Sequence, residues 1–330
     1  MHTFQIDVQV TRGTCVESRH RVHGAVVSAD GALLGAARDA QLVTAWRSCA
    51  KPFQVMSLVE TGGLDRLHWG DDELALACAS HGGEPEHVSI AERMLRDIGL
   101  EEGDLACGPH EPLSRRGARI LHDLHMAPTR LHNNCSGKHA AMLARARLAG
   151  WPVSGYERDG HPVQEACADI VAAWTGLRAS DLVRATDGCG VVVFSLPLSN
   201  MASSFARLGD AWARVDGAPR RIVEAMRSRP FLVGGTERFD TVLIEESGGR
   251  ILSKIGAEGV HTAVDLDRAI GVAIKVQDGA VRAQYPALLR LLQHVGALPG
   301  VLSPRLQAFA RTPIRNTRGD VVGGVYVMDA

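Results

Sequence analysis

The sequence has almost no net charge and few aromatic residues. Its 36 Lys and Arg residues balance 37 Asp and Glu, which leaves a formal net charge of −1, and aromatic residues make up only 5%. A chain without a basic excess has no long-range field that attracts nucleic acid or anionic lipid. So few aromatic rings also argue against a stacking platform for single strands. We therefore expect no nucleic-acid partner.

Long apolar runs and export signals are also missing. No apolar run approaches the ~18 residues that cross a bilayer. The stretch MHTFQIDVQVTRG at the start alternates like a strand and lacks the zones of a signal peptide. The cysteines number seven, are scattered, and all precede residue 190, a pattern typical of reduced thiols rather than of a disulfide framework. These features predict a cytoplasmic protein without a membrane span.

What the sequence does contain is an ordinary apolar fraction with two kinds of periodicity. Hydrophobic residues make up 45% and charged residues 22%, as in soluble globular proteins. Strand patterns occur at both ends, including a hairpin over residues 23–39, and helical spacing predominates between them. Near the C-terminal end, TVLIEE, RILSKIG and AIGVAIKV predict neighbouring strands, the first two joined by a hairpin at Ser247-Gly248-Gly249.

These patterns predict an α/β (α+β mixed) fold. Both termini are expected to contribute to one mixed, largely antiparallel sheet, on which a helical lobe packs. No repeat and no clean linker interrupts the chain, so we expect a single two-lobed domain over residues 1–330.

The most reactive segment of the sequence is HNNCSGKHAAML, residues 132–143. A phosphate-binding loop needs a glycine separated by four residues from the Gly-Lys pair and a Ser or Thr after the pair, but those positions hold His132 and His139. The two asparagines and Ser136 suit a helix N-cap. A cap alone does not require the Cys, Lys and His that accompany them.

Cys135, Lys138 and His139 are spaced i, i+3 and i+4, so their side chains share one helical face. A helix N-terminus lowers the pKa of a thiol, which makes a thiolate available as a nucleophile or a metal ligand. A tetrahedral metal site needs a further ligand, and Cys189, flanked by glycines in TDGCG, is a candidate. From the residues alone, a metal site and a buried structural thiol both remain open.

Two other segments pair hydroxyl groups with lysines. RSCAKP places Ser48 and Lys51 one helical turn apart, where a neutral lysine is able to take the serine proton for acyl transfer. ILSKIGAEG carries Lys254 on a strand ahead of a glycine that lets a substrate approach. Each pattern alone also fits a solvated pair or a strand end. Their order, with Ser80 between them, is that of serine acyl-transfer enzymes.

Together, RSCAKP, CASHGGEPEH, NNCSGKHAAML, TDGCG and SKIGAEG resemble the asparaginase II family, the zinc-containing bacterial type typified by the inducible Rhizobium etli enzyme. The resemblance runs over nearly the whole chain. It implies a fold similar to serine β-lactamases and glutaminases, and hydrolysis of the small molecule L-asparagine to L-aspartate and ammonia by a homodimer. The alternatives are a glutaminase or β-lactamase-like amidase on the same fold, and a non-catalytic zinc- or amino-acid-binding protein.

The resemblance also implies roles for individual residues. The implied catalytic residues are two Ser-Lys tandems, Ser48 with Lys51 and Ser80 with Lys254. The implied ligands of a Zn2+ ion, completed by water, are Cys135, Lys138 and Cys189. The implied substrate contacts are Arg47, Asp187 and His139. The resemblance therefore assigns His139 to the substrate rather than to the metal. Our hypothesis assigns the nucleophilic attack to Ser48, although the sequence alone leaves Ser80 open.

Overall fold

The computed structural model describes residues 2–214 and 216–328, which divide into two units that alternate along the chain. The first unit comprises the chain up to Cys49, Leu196–Asp210 and the chain from Val242 onward; the second comprises Ala50–Ser195 and Ala211–Thr241. The strands lie mainly in the first unit and the helices mainly in the second. The mixed α/β class is confirmed, whereas the single two-lobed domain stays a prediction.

The strands occur in three stretches of the chain. The early strands are β1 (His2–Thr3), β2 (Val8–Arg12), β3 (Cys15–His20), β4 (Val22–Ser28), β5 (Leu33–Ala37) and β6 (Val43–Ala45). The antiparallel pair of β7 (Val183–Thr186) and β8 (Val192–Pro197) follows in the middle of the chain. The late strands are β9 (Ile251–Ile255), β10 (Val260–Asp265), β11 (Ile270–Val276), β12 (Arg311–Arg315) and β13 (Val321–Val327).

Strands from both ends of the chain pair with each other, as predicted, but in two sheets rather than one. One sheet has the order β1-β5-β4-β11-β10-β9, in which β1 runs parallel to β5 and the other neighbours are antiparallel. The other has the order β12-β13-β2-β3 and is antiparallel throughout. The chain changes sheet at Arg21, the one residue between β3 and β4. The predicted hairpin over residues 23–39 is confirmed as β4 and β5.

The strand predicted for TVLIEE is wrong, because these residues belong to helix α12 (Phe239–Glu246). Val242, Leu243 and Ile244 are all buried, and a short, continuously apolar run has no periodicity that separates a strand from a helix. The glycines predicted to form a hairpin turn instead end the helix. Gly249 has a φ of 75° and donates its N–H to the Ile244 carbonyl at 2.8 Å, as in a left-handed helix cap.

The remaining helices vary from one turn to several. Those in the first half are α1 (Lys51–Gln54), α2 (Met56–Glu60), α3 (Gly63–Leu67), α4 (Asp71–Cys78), α5 (Pro85–Asp97), α6 (Arg115–Asp123) and α7 (Ser136–Ala149). Those in the second half are α8 (Pro162–Thr175), α9 (Leu198–Arg214), α10 (Ala218–Ser228), α11 (Pro230–Val233), α13 (Val281–His294) and α14 (Pro304–Ala310). Within residues 2–214 and 216–328, no helix is long and apolar enough to cross a membrane.

Helix α4 is the centre of the second unit, where it packs against α5, α7, α10 and α11. Its approach to α7 is close enough to require a glycine. A Cβ atom on Gly137 would lie 2.5 Å from the Leu76 carbonyl oxygen, a separation that non-bonded atoms do not tolerate. The glycine of the CSGK segment therefore brings the start of α7 against the C-terminal end of α4, the end from which the chain runs on to Ser80.

Candidate active site

Lys51 is a fully buried lysine at the start of α1, with 0% of its surface exposed. Its Nζ donates to the carbonyl oxygens of Ala79 and Asn134, the latter at 3.1 Å, and lies 3.2 Å from the Ser80 Oγ. Carbonyl oxygens only accept hydrogen bonds. A neutral Lys51 would therefore give its two N–H groups to these carbonyls and turn its lone pair to the Ser80 hydroxyl. The geometry suits proton transfer between Ser80 and Lys51.

Ser80 is held by contacts on both sides of its turn. Its backbone N–H donates to the Val233 carbonyl at 3.2 Å. The next residue, His81, places Nε2 2.9 Å from the Ser136 Oγ, which itself donates to the Leu131 carbonyl. His81 therefore acts as the donor to Ser136, and burial keeps its pKa well below the usual value. A neutral His81 thus joins the Ser80 turn to the first residue of α7.

Glu84 has a positioning role that was not predicted from the sequence. Its buried carboxylate accepts hydrogen bonds from the Thr236 backbone N–H and hydroxyl, both at 2.7 Å, and from Arg116 at 2.6 Å. Burial would raise the pKa of Glu84, but the hydrogen bonds from Thr236 and Arg116 lower it below the usual value. Glu84 therefore ties the turn after Ser80 to a loop 152 positions away.

The predicted zinc ligands Cys135, Lys138 and Cys189 do come together, and all three are buried. The Lys138 Nζ lies 3.3 Å from the Cys189 Sγ. A hydrogen bond from Cys135 lowers the pKa of Cys189 to about 5, against the effect of burial and with the help of the Lys138 charge. The same hydrogen bond and burial raise the pKa of Cys135 to about 12. These opposite pKa directions favour Cys189 over Cys135 as the thiolate of the cluster.

Burial acts to lower the pKa of Lys138, but the charges of Cys189 and Cys135 outweigh it and raise that pKa above its usual value. The donor set nevertheless fits zinc. Two thiol groups and an amine suit this borderline-soft ion, and tetrahedral bonding would separate a sulfur and a nitrogen ligand by about 3.5 Å. To bind zinc, both Cys135 and Lys138 would have to release a proton.

Among the described residues, no group of three or more His, Cys, Asp or Glu side chains is placed to hold a metal ion. The predicted set contains only two residues of these types, together with a lysine. That finding therefore leaves the zinc prediction untested.

The turn that carries Cys189 is fixed by its own backbone. The Asp187 N–H donates to the Val191 carbonyl at 2.8 Å, and the Gly190 N–H returns to the Asp187 carbonyl at 2.9 Å. Gly190 has a φ of 94°, a conformation that favours glycine. The carboxylate of Asp187, a predicted substrate contact, lies near enough to Lys138 to raise the pKa of that lysine further.

His139, the third predicted substrate contact, is fully buried one residue after Lys138. Its Nδ1 lies 2.6 Å from the Tyr156 hydroxyl, and the two rings meet edge to face. Burial, together with the charge of Lys138, lowers the pKa of His139 to about 3. His139 is therefore a neutral imidazole whose ring orientation is set by Tyr156, a residue outside all of the sequence motifs.

Arg47, Ser48 and Lys254 belong to the first unit. Arg47 begins the short 3-10 helix Arg47–Ala50 with a φ of 53°, a left-handed backbone that costs about 1–3 kcal/mol and concentrates at functional sites. Ser48 follows and is partly exposed. The Cys49 Sγ donates to the carbonyl oxygen of Lys254 at 3.0 Å, so the segment with Ser48 and the strand with Lys254 are joined.

Gly256, two residues after Lys254, lies close to the protein's own Cys49. A Cβ atom on Gly256 would lie 3.0 Å from both the Cys49 Sγ and the Val260 carbonyl oxygen. The approach of the protein's own Cys49 therefore favours a glycine here, and the approach of a substrate stays a prediction. The implied pairs Ser48–Lys51 and Ser80–Lys254 each combine residues of both units and stay predictions.

The lysines of the chain are few and buried, and most of them belong to the candidate site. There are only four, Lys51, Lys138, Lys254 and Lys275, although Lys and Arg together number 36. All four are buried, although lysine is among the residues that are almost never buried. Three of them are the lysines that the motifs single out, so the scarcity of lysine was a signal available in the sequence.

Comparison with known proteins identifies the family. The family model described as L-asparaginase II matches residues 8–327. A comparison with curated sequences found no match.

The chain is also similar, at low identity, to solved structures. They include Mglu in its native form (14% identity, 90% of this chain and 69% of that chain, TM-score 0.44) and a β-lactamase from Mycobacterium bovis (12%, 84% and 96%, 0.37). Another is EstCE1, a hydrolase with promiscuous acyltransferase activity (12%, 87% and 93%, 0.35). TM-scores this low support no argument about function. The match over residues 8–327 does carry weight, and the chain therefore belongs to the L-asparaginase II family.

Proposed function

We propose that this protein hydrolyses L-asparagine to L-aspartate and ammonia through a serine acyl-enzyme. The family match over residues 8–327 carries the proposal. The buried contact between Lys51 and Ser80 supports it, because amide hydrolysis by a serine needs a base within hydrogen-bond reach. The reaction needs no redox partner, because water replaces the amide nitrogen on the carbonyl carbon and no atom changes its oxidation state.

In the proposed mechanism, the Ser48 Oγ attacks the side-chain amide carbon of asparagine while its proton passes toward Lys51. The C–N bond breaks, the nitrogen takes a proton, and ammonia leaves an aspartyl ester on Ser48. Water then cleaves this ester, with Ser80 and Lys254 relaying protons. Arg47 holds the α-carboxylate and Asp187 the α-ammonium of the substrate.

A substrate panel tests the activity. We expect purified protein to release ammonia from L-asparagine in step with aspartate, with lower turnover of L-glutamine and none of a β-lactam. Preference for glutamine or for the β-lactam would identify a different amidase. A thermal shift with asparagine but no ammonia would identify a binding protein instead.

Zinc, held by Cys135, Lys138 and Cys189, is proposed to support the reaction rather than to perform it. When bound, the ion supplies positive charge that stabilises anionic oxygen nearby. The ion would also order the start of α7, because its proposed ligands lie there and on the turn of Cys189.

Replacing Cys189 with serine is expected to weaken zinc binding by about 100-fold, because a thiolate ligand is lost. Asparagine turnover should fall by a smaller factor. Zinc content by atomic emission and ammonia release measure the two effects. Cys167→Ser is the matched control, since Cys167 is buried and bonds only the Gln54 carbonyl at 3.3 Å among the contacts that the structure describes. Full activity of a zinc-free preparation would contradict any part for zinc in the reaction.

The assembly is proposed to be a homodimer, as the family resemblance implies. A cytoplasmic location is also proposed, because the seven scattered cysteines form a pattern typical of reduced thiols rather than of a disulfide framework.

A further inference from the structure

His139 presents a buried nitrogen without a partner. The ring is fully buried, and its Nδ1 meets the Tyr156 hydroxyl at 2.6 Å. Its Nε2 has no hydrogen-bond partner among the residues that the structure describes. Buried polar atoms are satisfied in most native proteins, and one that is not invites a functional explanation. The question is whether this nitrogen donates or accepts.

The hydrogen bonds of Tyr156 answer it. The Ala106 backbone N–H donates to the Tyr156 Oη at 3.0 Å. The direction of this hydrogen bond is fixed, because a backbone amide N–H is a donor and never an acceptor. The hydroxyl proton of Tyr156 then needs an acceptor, and the His139 Nδ1 is the acceptor within reach. If Nδ1 carried the ring proton instead, the hydroxyl would receive two donors and its own proton would have nowhere to go. The arrangement that satisfies every group leaves the ring proton on Nε2.

We propose that Tyr156 is a positioning residue that holds His139 in its Nε2–H tautomer, so that His139 donates a hydrogen bond to an oxygen atom of the substrate. With Nδ1 engaged and Nε2 protonated, the ring has no lone pair to offer, which excludes His139 as a metal ligand and as a general base. An oxygen acceptor is the class of partner expected, because a ring nitrogen that carries a proton only donates, and oxygen atoms are the acceptors that an amino-acid substrate offers. The choice of asparagine as substrate rests on the proposed function.

The tautomer itself is measured without any turnover. In protein labelled with 15N-histidine, we expect the His139 ring nitrogens to show a protonated Nε2 and an unprotonated Nδ1 in two-dimensional NMR. His139→Gln identifies the signals by their loss. Tyr156→Phe removes the donor to Nδ1, so the ring should shift toward the Nδ1–H tautomer or a mixture. A parental protein with the proton on Nδ1, or a Tyr156→Phe spectrum identical to the parental one, would overturn the positioning role.

The donor role is tested by kinetics. The amide of Gln places an N–H near the position of Nε2, whereas Leu has no donor. We expect His139→Leu to lower kcat/KM for asparagine by about 10–100-fold, as the loss of one buried hydrogen bond would, and His139→Gln to recover most of it. Equal losses in the two variants would overturn the donor role. If the parental protein forms no ammonia, the proposed function fails, and the NMR comparison still decides the tautomer.

Discussion

Replacing Lys51 with methionine is expected to lower kcat/KM for asparagine by about 1,000-fold, within the range that general acid-base groups contribute. Methionine fills nearly the same volume but has no nitrogen to exchange a proton with a serine. In the parental protein two backbone carbonyls, of Ala79 and Asn134, hold the Lys51 Nζ beside Ser80. The variant loses all three contacts and leaves those carbonyls without this donor, so some loss of stability, about 1–3 kcal/mol, accompanies the kinetic effect.

The experiment separates the two effects by measuring ammonia release at a temperature where circular dichroism shows the variant folded. Lys275→Met is the matched control, because Lys275 is also a buried lysine but lies on β11 and donates to the carbonyl of Val276. We expect this control to keep near-parental turnover. A Lys51→Met protein that is folded and retains more than about a tenth of parental activity contradicts a general-base role for Lys51.

Replacing Ser48 with alanine is expected to remove turnover almost entirely, by about 10,000-fold, because no acyl-enzyme is able to form without its nucleophile. The stability effect should be small, since Ser48 is partly exposed and lies in a short 3-10 helix. A shifted melting temperature is therefore not the expected explanation for the loss.

Ser80→Ala is the informative comparison for this variant. Ser80 is buried against Lys51. Because Ser80 is proposed as a proton relay, its replacement should lower kcat by about 100-fold. Steady-state kinetics of both variants on asparagine distinguish the two serines. Near-parental turnover of Ser48→Ala together with an inactive Ser80→Ala would transfer the nucleophilic role to Ser80, the serine whose contact with Lys51 lies within the second unit.

The sequence was informative wherever a pattern is local. Cys135, Lys138 and His139 share a helical face because of their spacing, and the structure places all three in α7 or at its start. The hairpin of β4 and β5 is likewise set by a few adjacent residues. The strand prediction for TVLIEE was wrong because a local pattern is sometimes ambiguous. Its three consecutive apolar residues are buried in a helix as completely as they would be in a strand, and local periodicity does not separate the two.

Contacts between distant residues lay outside the reach of the sequence. Glu84 depends on Thr236, 152 positions away, and His139 depends on Tyr156, 17 positions away in the loop before α8. Neither partner belongs to a motif, so no spacing rule points to it. The approach of Cys49 to Gly256, from 207 positions earlier in the chain, was not predicted either.

The most direct test of the acyl-enzyme is to locate the ester. Protein turning over L-asparagine is quenched with acid on a millisecond scale and digested with trypsin, which separates Ser48 in peptide 48–66 from Ser80 in peptide 67–93. We expect an aspartyl adduct on Ser48 in peptide 48–66 that appears before steady state and is absent from Ser48→Ala. An adduct on Ser80 instead, or aspartate formed at the parental rate with no adduct on either peptide, would contradict it.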